Sequence, residues 1–173
     1  MEVESRLIVG QHVCAAPNDK EQLPPTLAAV VPAAGPVAQV LVDSGFVSAA
    51  AVSAVEVDAQ GQPTGTEVLA ALQREPHGRT VSDLEKKNDP EAPAPEASFE
   101  QKMAHRVATK AGRARYKLRP QTVEPVFGII KEAMGFRRFR LRGWKKVSLE
   151  WMLVCVSYNL KRMFALKNLA MAN

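Results

Sequence analysis

Residues 37–42, VAQVLV, form an apolar run broken only by Gln39. The run stops at Asp43-Ser44-Gly45 and gives way to a small-residue stretch, SAAAVSAV. A short β-branched run bounded by turn residues reads as a strand covered on both faces. The stretch after it reads as a helix. An acid, Asp43, thus stands where a central strand gives way to a helix. Sites in open α/β sheets collect outside the carboxyl ends of strands. Asp43 stands at such a point and is a candidate site residue, although from position alone a cap for the next helix is the better reading.

The flanking segments extend this pattern. Residues 2–15, EVESRLIVGQHVCA, have strand-like β-branched residues around Gly10 and predict one strand or two short ones. Residues 20–34 predict a helix that begins after Pro24-Pro25 and ends at Gly35-Pro36. Residues 56–98 are rich in Gly, Pro, Gln, Asp and Glu and end in NDPEAPAPEAS. They read as a loop or partly disordered insertion, with room for a short helix at 66–73. Phe99, Met103 and Val107 sit four apart and predict a helix over 99–111. A basic turn, AGRARYKLRPQ, follows. Residues 121–134 predict another helix, with Thr122 as N-cap, Pro125 in the first turn and Gly135 closing it. Residues 148–169 predict a last helix, apolar on most sides and therefore placed in the core. The chain thus divides into 1–55, 56–98 and 99–173.

Charge is distributed very unevenly. Residues 1–99 carry 6 Lys and Arg against 14 Asp and Glu, while residues 100–173 carry 17 against 4. A basic half of this kind points either to a polyanion such as nucleic acid or to a plain solvated face. Within it, Arg137, Arg138, Arg140, Arg142, Lys145 and Lys146 alternate with Phe136, Phe139, Leu141 and Trp144. Such alternation suggests an extended segment with apolar side chains anchored inward and cations outward. Cys14 and Cys155 lack any metal-ligand spacing and read as core residues. His12, His77 and His105 are scattered and receive no role. The start, MEVESRL, has no apolar run after it and does not read as a secretory signal. The stretch 147–160 is too short and too marked by Glu150 to cross a bilayer, so the expectation is a cytoplasmic protein with no membrane partner.

The stretch YKLRPQTVEPVFGIIKEAMGFRRFRLRGWKKVSLEWMLVCVSYNLKRM resembles the end of the catalytic domain in insertion-sequence transposases of the DDE group. That family carries a Tyr–Arg–Glu–Lys signature around its last catalytic acid, matched here by Tyr116, Arg119, Glu124 and Lys131. Four residues separate Arg119 from Glu124, where some subgroups have three. Upstream, LIVGQHVCAAPNDKEQL and VLVDSGFVS resemble the segments around the family's second acid, which places that role on Asp43. The REPHGR run at 74–79 also looks like family sequence.

The resemblance implies a ribonuclease H-like fold, a mixed sheet with flanking helices, present here in part and lacking the first strand or strands. It implies DNA transposition by phosphoryl transfer at DNA ends. Two divalent metals about 3.5–4 Å apart serve such chemistry, and Mg²⁺ calls for carboxylate oxygens. Asp43 and Glu124 would be catalytic and metal-binding. Tyr116, Arg119, Lys131, Arg137, Arg138, Arg140, Arg142, Lys145 and Lys146 would bind DNA, both transposon ends and target. The family's first catalytic Asp and its DNA-binding region lie before the segment matched by residue 1. The expectation is therefore a transposase fragment, inactive alone, that associates with the nucleoid and works, if at all, with an intact transposase or a separate N-terminal half. The alternative is a non-catalytic DNA-binding protein derived from a transposase.

Overall fold

The computed structural model describes residues 1–72 and 88–172. The REPHGR run and His77 lie outside the described residues. The chain divides into two compact units. The first comprises Met1–Ala16, Pro25–Pro36 and Leu118–Asn173; the second comprises Pro17–Pro24 and Val37–Lys117.

The second unit is a mixed α/β arrangement. Strand β1 (Gln39–Val42) pairs in parallel with β2 (Glu67–Ala70), in the register Gln39 to Glu67 and Val42 to Ala70. A parallel pair needs a crossover between its strands, and this one contains α2 (Ala49–Glu56). The Ser48 hydroxyl caps α2 by accepting from the Ala51 amide at 3.1 Å. Two features depart from expectation. β1 is only half-buried, because β2 is its one partner among the described residues. β2 itself lies where the sequence suggests insertion or a short helix, yet Val68, Leu69 and Ala70 are the most deeply buried part of the unit. They pack with Val52, Val55 and Met103 in the unit's core.

Helix α3 (Phe99–Ala108) follows a capping box in which Ser98 and Gln101 satisfy each other's backbone amides. The basic stretch read as a turn is instead helix α4 (Lys110–Tyr116). Thr109 makes this corner without a loop: it ends α3, and its hydroxyl accepts from the Gly112 amide at 3.0 Å to start α4. Arg106 then ties the layers together. Its guanidinium meets the Glu56 carboxylate at 2.5 and 3.1 Å and the Val68 carbonyl at 3.4 Å, and Glu56 also accepts from the Val68 amide at 2.9 Å. The hydrogen bond it donates to Glu56 raises the already high Arg106 pKa further. The end of α2, strand β2 and α3 are thus held at one ionic node.

In the first unit, residues 2–15 are mostly irregular. The expected strand is reduced to one antiparallel bridge between Gly10 and Val30, and Val31 donates to Val9 at 2.8 Å. A side chain replaces the missing strand partner: the Asn159 carboxamide accepts from the Ile8 amide and donates to the Ile8 carbonyl, both at 2.9 Å. Tyr158 and Arg162 similarly reach the Arg6 and Ser5 carbonyls. The helix near residue 23 is shorter than expected, α1 (Leu23–Ala28), with a 3₁₀ turn at Pro32–Ala34.

Helix α5 runs from Leu118 to Gly128, so it starts three residues before the expected boundary. Thr122 is therefore not an N-cap. It is buried inside the helix, and its hydroxyl donates to the Leu118 carbonyl at 2.7 Å. Proline has no amide hydrogen, so Pro125 leaves a gap in the helical ladder. A wider π-turn, Ile129–Ala133, continues the helix, and Gly135 ends it with φ of 70°. Helix α6 (Trp144–Ala172) is the longest element. One side of it, with Tyr158, Trp151 and Val154, packs with Val126, Ile130 and Ile8, and Cys155 is buried too. The other side is not in the core: Leu149, Leu153, Leu160 and Phe164 are exposed. No helix among the described residues is long and apolar enough to cross a membrane.

Candidate nucleic-acid interface

Asp43 is exposed at the carboxyl end of β1. Its carboxylate accepts from the Ser44 amide at 2.8 Å and so caps the 3₁₀ turn Ser44–Phe46. The cap reading holds for that turn and not for α2, which Ser48 caps. Tyr116, half-buried at the end of α4, donates its hydroxyl to the Val42 carbonyl at 3.1 Å. Arg115 donates to the Gln39 side chain at 3.2 Å. Within the second unit, then, one residue of the signature is bonded to the peptide that carries Asp43.

The remaining signature residues belong to the first unit. Arg119, half-buried, and Glu124, exposed, lie on α5; Lys131 lies on the π-turn. The Lys131 ammonium sits 5.9 Å from the Phe127 ring centroid, within range of a cation–π attraction. A Cβ added at Gly128 would meet nothing within 4 Å, so that face is open.

Arg137, Arg138, Arg140 and Arg142 lie in an irregular exposed segment, and Lys145 and Lys146 follow on the first turn of α6. The segment is shaped by one acid that the sequence reading treated only as an interruption. Glu150 of α6 accepts from the Arg140 amide at 3.0 and 3.1 Å and from the Leu141 amide at 3.0 Å. Its position as the single acid of a basic helix is the signal that could have singled it out. Arg137 pairs with Glu132.

Inward anchoring of the interleaved apolar residues holds only for part of the segment. Phe136 meets Phe139 edge-on at 5.4 Å and Trp151 at 6.1 Å, and Trp151 stacks on Phe127 at 6.2 Å. Phe139, for all its ring contacts, is exposed, as are Leu141 and Trp144. These aromatic rings, with Lys131 and Arg137 among the lining, border an open cleft of about 410 Å³. Cys14 also borders it and is exposed rather than core; Cys155 is buried, and burial pushes its thiol pKa up to about 11.

Asp43 and Glu124 belong to different units. Their oxygens suit a hard dication, but no group of three or more His, Cys, Asp or Glu is assembled among the described residues. Those residues do not by themselves make a complete metal site.

No curated protein and no solved structure matches the chain. Residues 85–164 match the family model of the transposase DDE domain. The match takes in α3 to α5 and most of α6, and all four signature residues from Tyr116 to Lys131 fall inside it. Over this segment the chain is similar to the DDE domain of transposases.

Proposed function

We propose that the chain serves DNA transposition as part of a ribonuclease H-like catalytic domain, and that its basic segment binds DNA. The observation that carries this reading is the Tyr116, Arg119, Glu124, Lys131 series inside the matched segment, followed at once by six exposed cations. Asp43 and Glu124 would ligate Mg²⁺ as two acids of a larger set. Lys131, Arg119 and the cations from Arg137 to Lys146 would contact phosphates. Tyr116 would stand beside the Asp43 strand end. With two acids only, the expected behaviour of the purified chain is DNA binding without cleavage or strand transfer. Incubation with end-bearing duplex, plasmid target and Mg²⁺ checks this. Joined products that disappear in Glu124→Gln would show an activity that two acids cannot explain and would overturn the incomplete-site part of the reading.

Gly128 separates DNA contact from stability. Ala is a better helix former than Gly by about 0.5–1 kcal/mol, and the position has space for a methyl group. Gly128→Ala is expected to raise the urea midpoint slightly. It should also weaken duplex binding severalfold in fluorescence anisotropy, if a DNA backbone passes over this face. Unchanged affinity would remove Gly128 from the interface.

A further inference from the structure

Residues 101–117, which form most of α3 and all of α4, hold six Lys and Arg and no Asp or Glu. Two of the six are engaged within the second unit: Arg106 pairs with Glu56, and the Lys102 ammonium donates to the Pro95 carbonyl at 2.6 Å. Helix geometry sorts the other four, at about 100° per residue. Gly112, Arg115 and Tyr116 take the packed side of α4. Gly112 lies against the Arg106 carbonyl, Arg115 reaches the Gln39 side chain, and Tyr116 reaches the Val42 carbonyl. Lys110, Arg113 and Lys117, spaced three and four residues apart, share the other side with the small Ala114. Lys110 and Lys117 are exposed and Arg113 is half-buried. None of these three side chains makes an ion pair among the described residues.

We propose that this face of α4 is a second DNA contact, carried by the second unit alone, which holds a phosphate backbone without reading its sequence. From Lys110 to Lys117 the helix rises about 10 Å. Phosphates on one DNA strand succeed each other about every 3.4 Å along the axis, so three cations over this span suit a run of successive phosphates. Ala114 between them lets a backbone approach closely. The packed side of the same helix is bonded to both ends of β1, and Asp43 follows directly on Val42. A duplex on α4 is therefore fixed relative to the strand end that carries the acid. One acid stands close to the face: the Asp89 carboxylate accepts from the Lys110 amide at 2.6 Å. It partly offsets the charge at the start of α4. The inference rests on the DNA reading above but concerns cations that the arginine segment does not include.

The test is fluorescence anisotropy of the full chain on a labelled duplex of arbitrary sequence, titrated at several salt concentrations. Lys110→Ala, Arg113→Ala and Lys117→Ala are each expected to lower the slope of log affinity against log salt by about 0.9, and all three together by about 2.7. Lys102→Ala removes the same charge from α3 and should leave the slope unchanged. Asp89→Asn keeps an acceptor for the Lys110 amide but removes a negative charge, so it should tighten binding severalfold. A second measurement covers a variant that misfolds. A photoactivatable aryl azide coupled to Lys117→Cys in a Cys14→Ser background should cross-link the duplex, and the same probe at Gln60→Cys, in the turn before β2, should not. An unchanged slope in the α4 triple variant, an equal loss in Lys102→Ala, or equal cross-linking at both cysteines would overturn the proposal. If the triple arginine variant of residues 137, 138 and 140 still loses its slope in that event, the DNA reading stands and only the α4 contact falls. If neither triple variant changes the slope, both fall.

Discussion

Gly112→Ala is expected to cost about 3 kcal/mol or more, the range of severe overpacking. A Cβ at this position would lie 1.8 Å from the Arg106 carbonyl oxygen and 2.9 Å from its carbon. The obstacle is backbone, so no side-chain rotation relieves it. The close approach arises because Thr109 turns α3 directly into α4, with its hydroxyl donating to the same Arg106 carbonyl at 3.0 Å. Pushing that carbonyl away shifts α3, which carries the guanidinium that meets Glu56 and the Val68 carbonyl. The strain would therefore spread to β2, the best-buried strand of the unit. The measurement is the urea unfolding midpoint against wild type, with Gly128→Ala as the control glycine in open space. A Gly112→Ala midpoint equal to wild type would mean that the corner is not packed as described.

The elements that the sequence revealed are those with local signals. Helix α2 was legible in the small-residue stretch after Asp43, and α3 in Phe99, Met103 and Val107 at four-residue spacing, because such patterns lie within one element. β2 carries no such signal. EVLA is four residues long and sits in polar surroundings, and its strand character comes from β1, 28 positions earlier in register. A short apolar run cannot reveal a distant partner. The corner at Thr109 was hidden by composition: Gly and Arg suggest a turn, although Thr followed three residues later by a close-packed Gly builds a helix start. For α6, apolar residues on most sides predicted a helix correctly but not its surroundings. A fully buried helix and one with two separate apolar faces have the same composition.

The candidate site divides in the same way. The resemblance was legible, since the signature residues fall inside the segment that the family comparison matches. Local placement was legible at Asp43, which stands at a strand end as expected. The partners of these residues were not. Nothing in YKLRP indicates that the Tyr116 hydroxyl bonds the Val42 carbonyl, and nothing around Glu150 shows that it holds the backbone at Arg140 and Leu141. Both contacts join segments that only folding brings together. Nothing in the sequence indicated the π-turn that carries Lys131 alongside Phe127.

Removing three arginines, Arg137→Ala with Arg138→Ala and Arg140→Ala, is expected to weaken duplex binding by about 100-fold at 150 mM salt, from the counterion release of three phosphate contacts. The slope of log affinity against log salt should fall by about 2.7, at roughly 0.9 per contact. All three side chains are exposed, so their loss should leave the fold intact. Arg137 also has Glu132 as a partner, but an exposed pair of this kind contributes little to stability. The Arg140 contact with Glu150 runs through the backbone amide and survives truncation of the side chain. A lost slope with an unchanged unfolding midpoint is therefore the signature of direct phosphate contact. Glu150→Ala provides the converse case: it keeps every arginine and frees the segment that carries them. Its salt slope should stay close to wild type while affinity falls, because the cations remain but must be ordered on binding. If the triple variant keeps the wild-type slope, the basic segment is only a solvated face and the DNA contacts lie elsewhere on the chain.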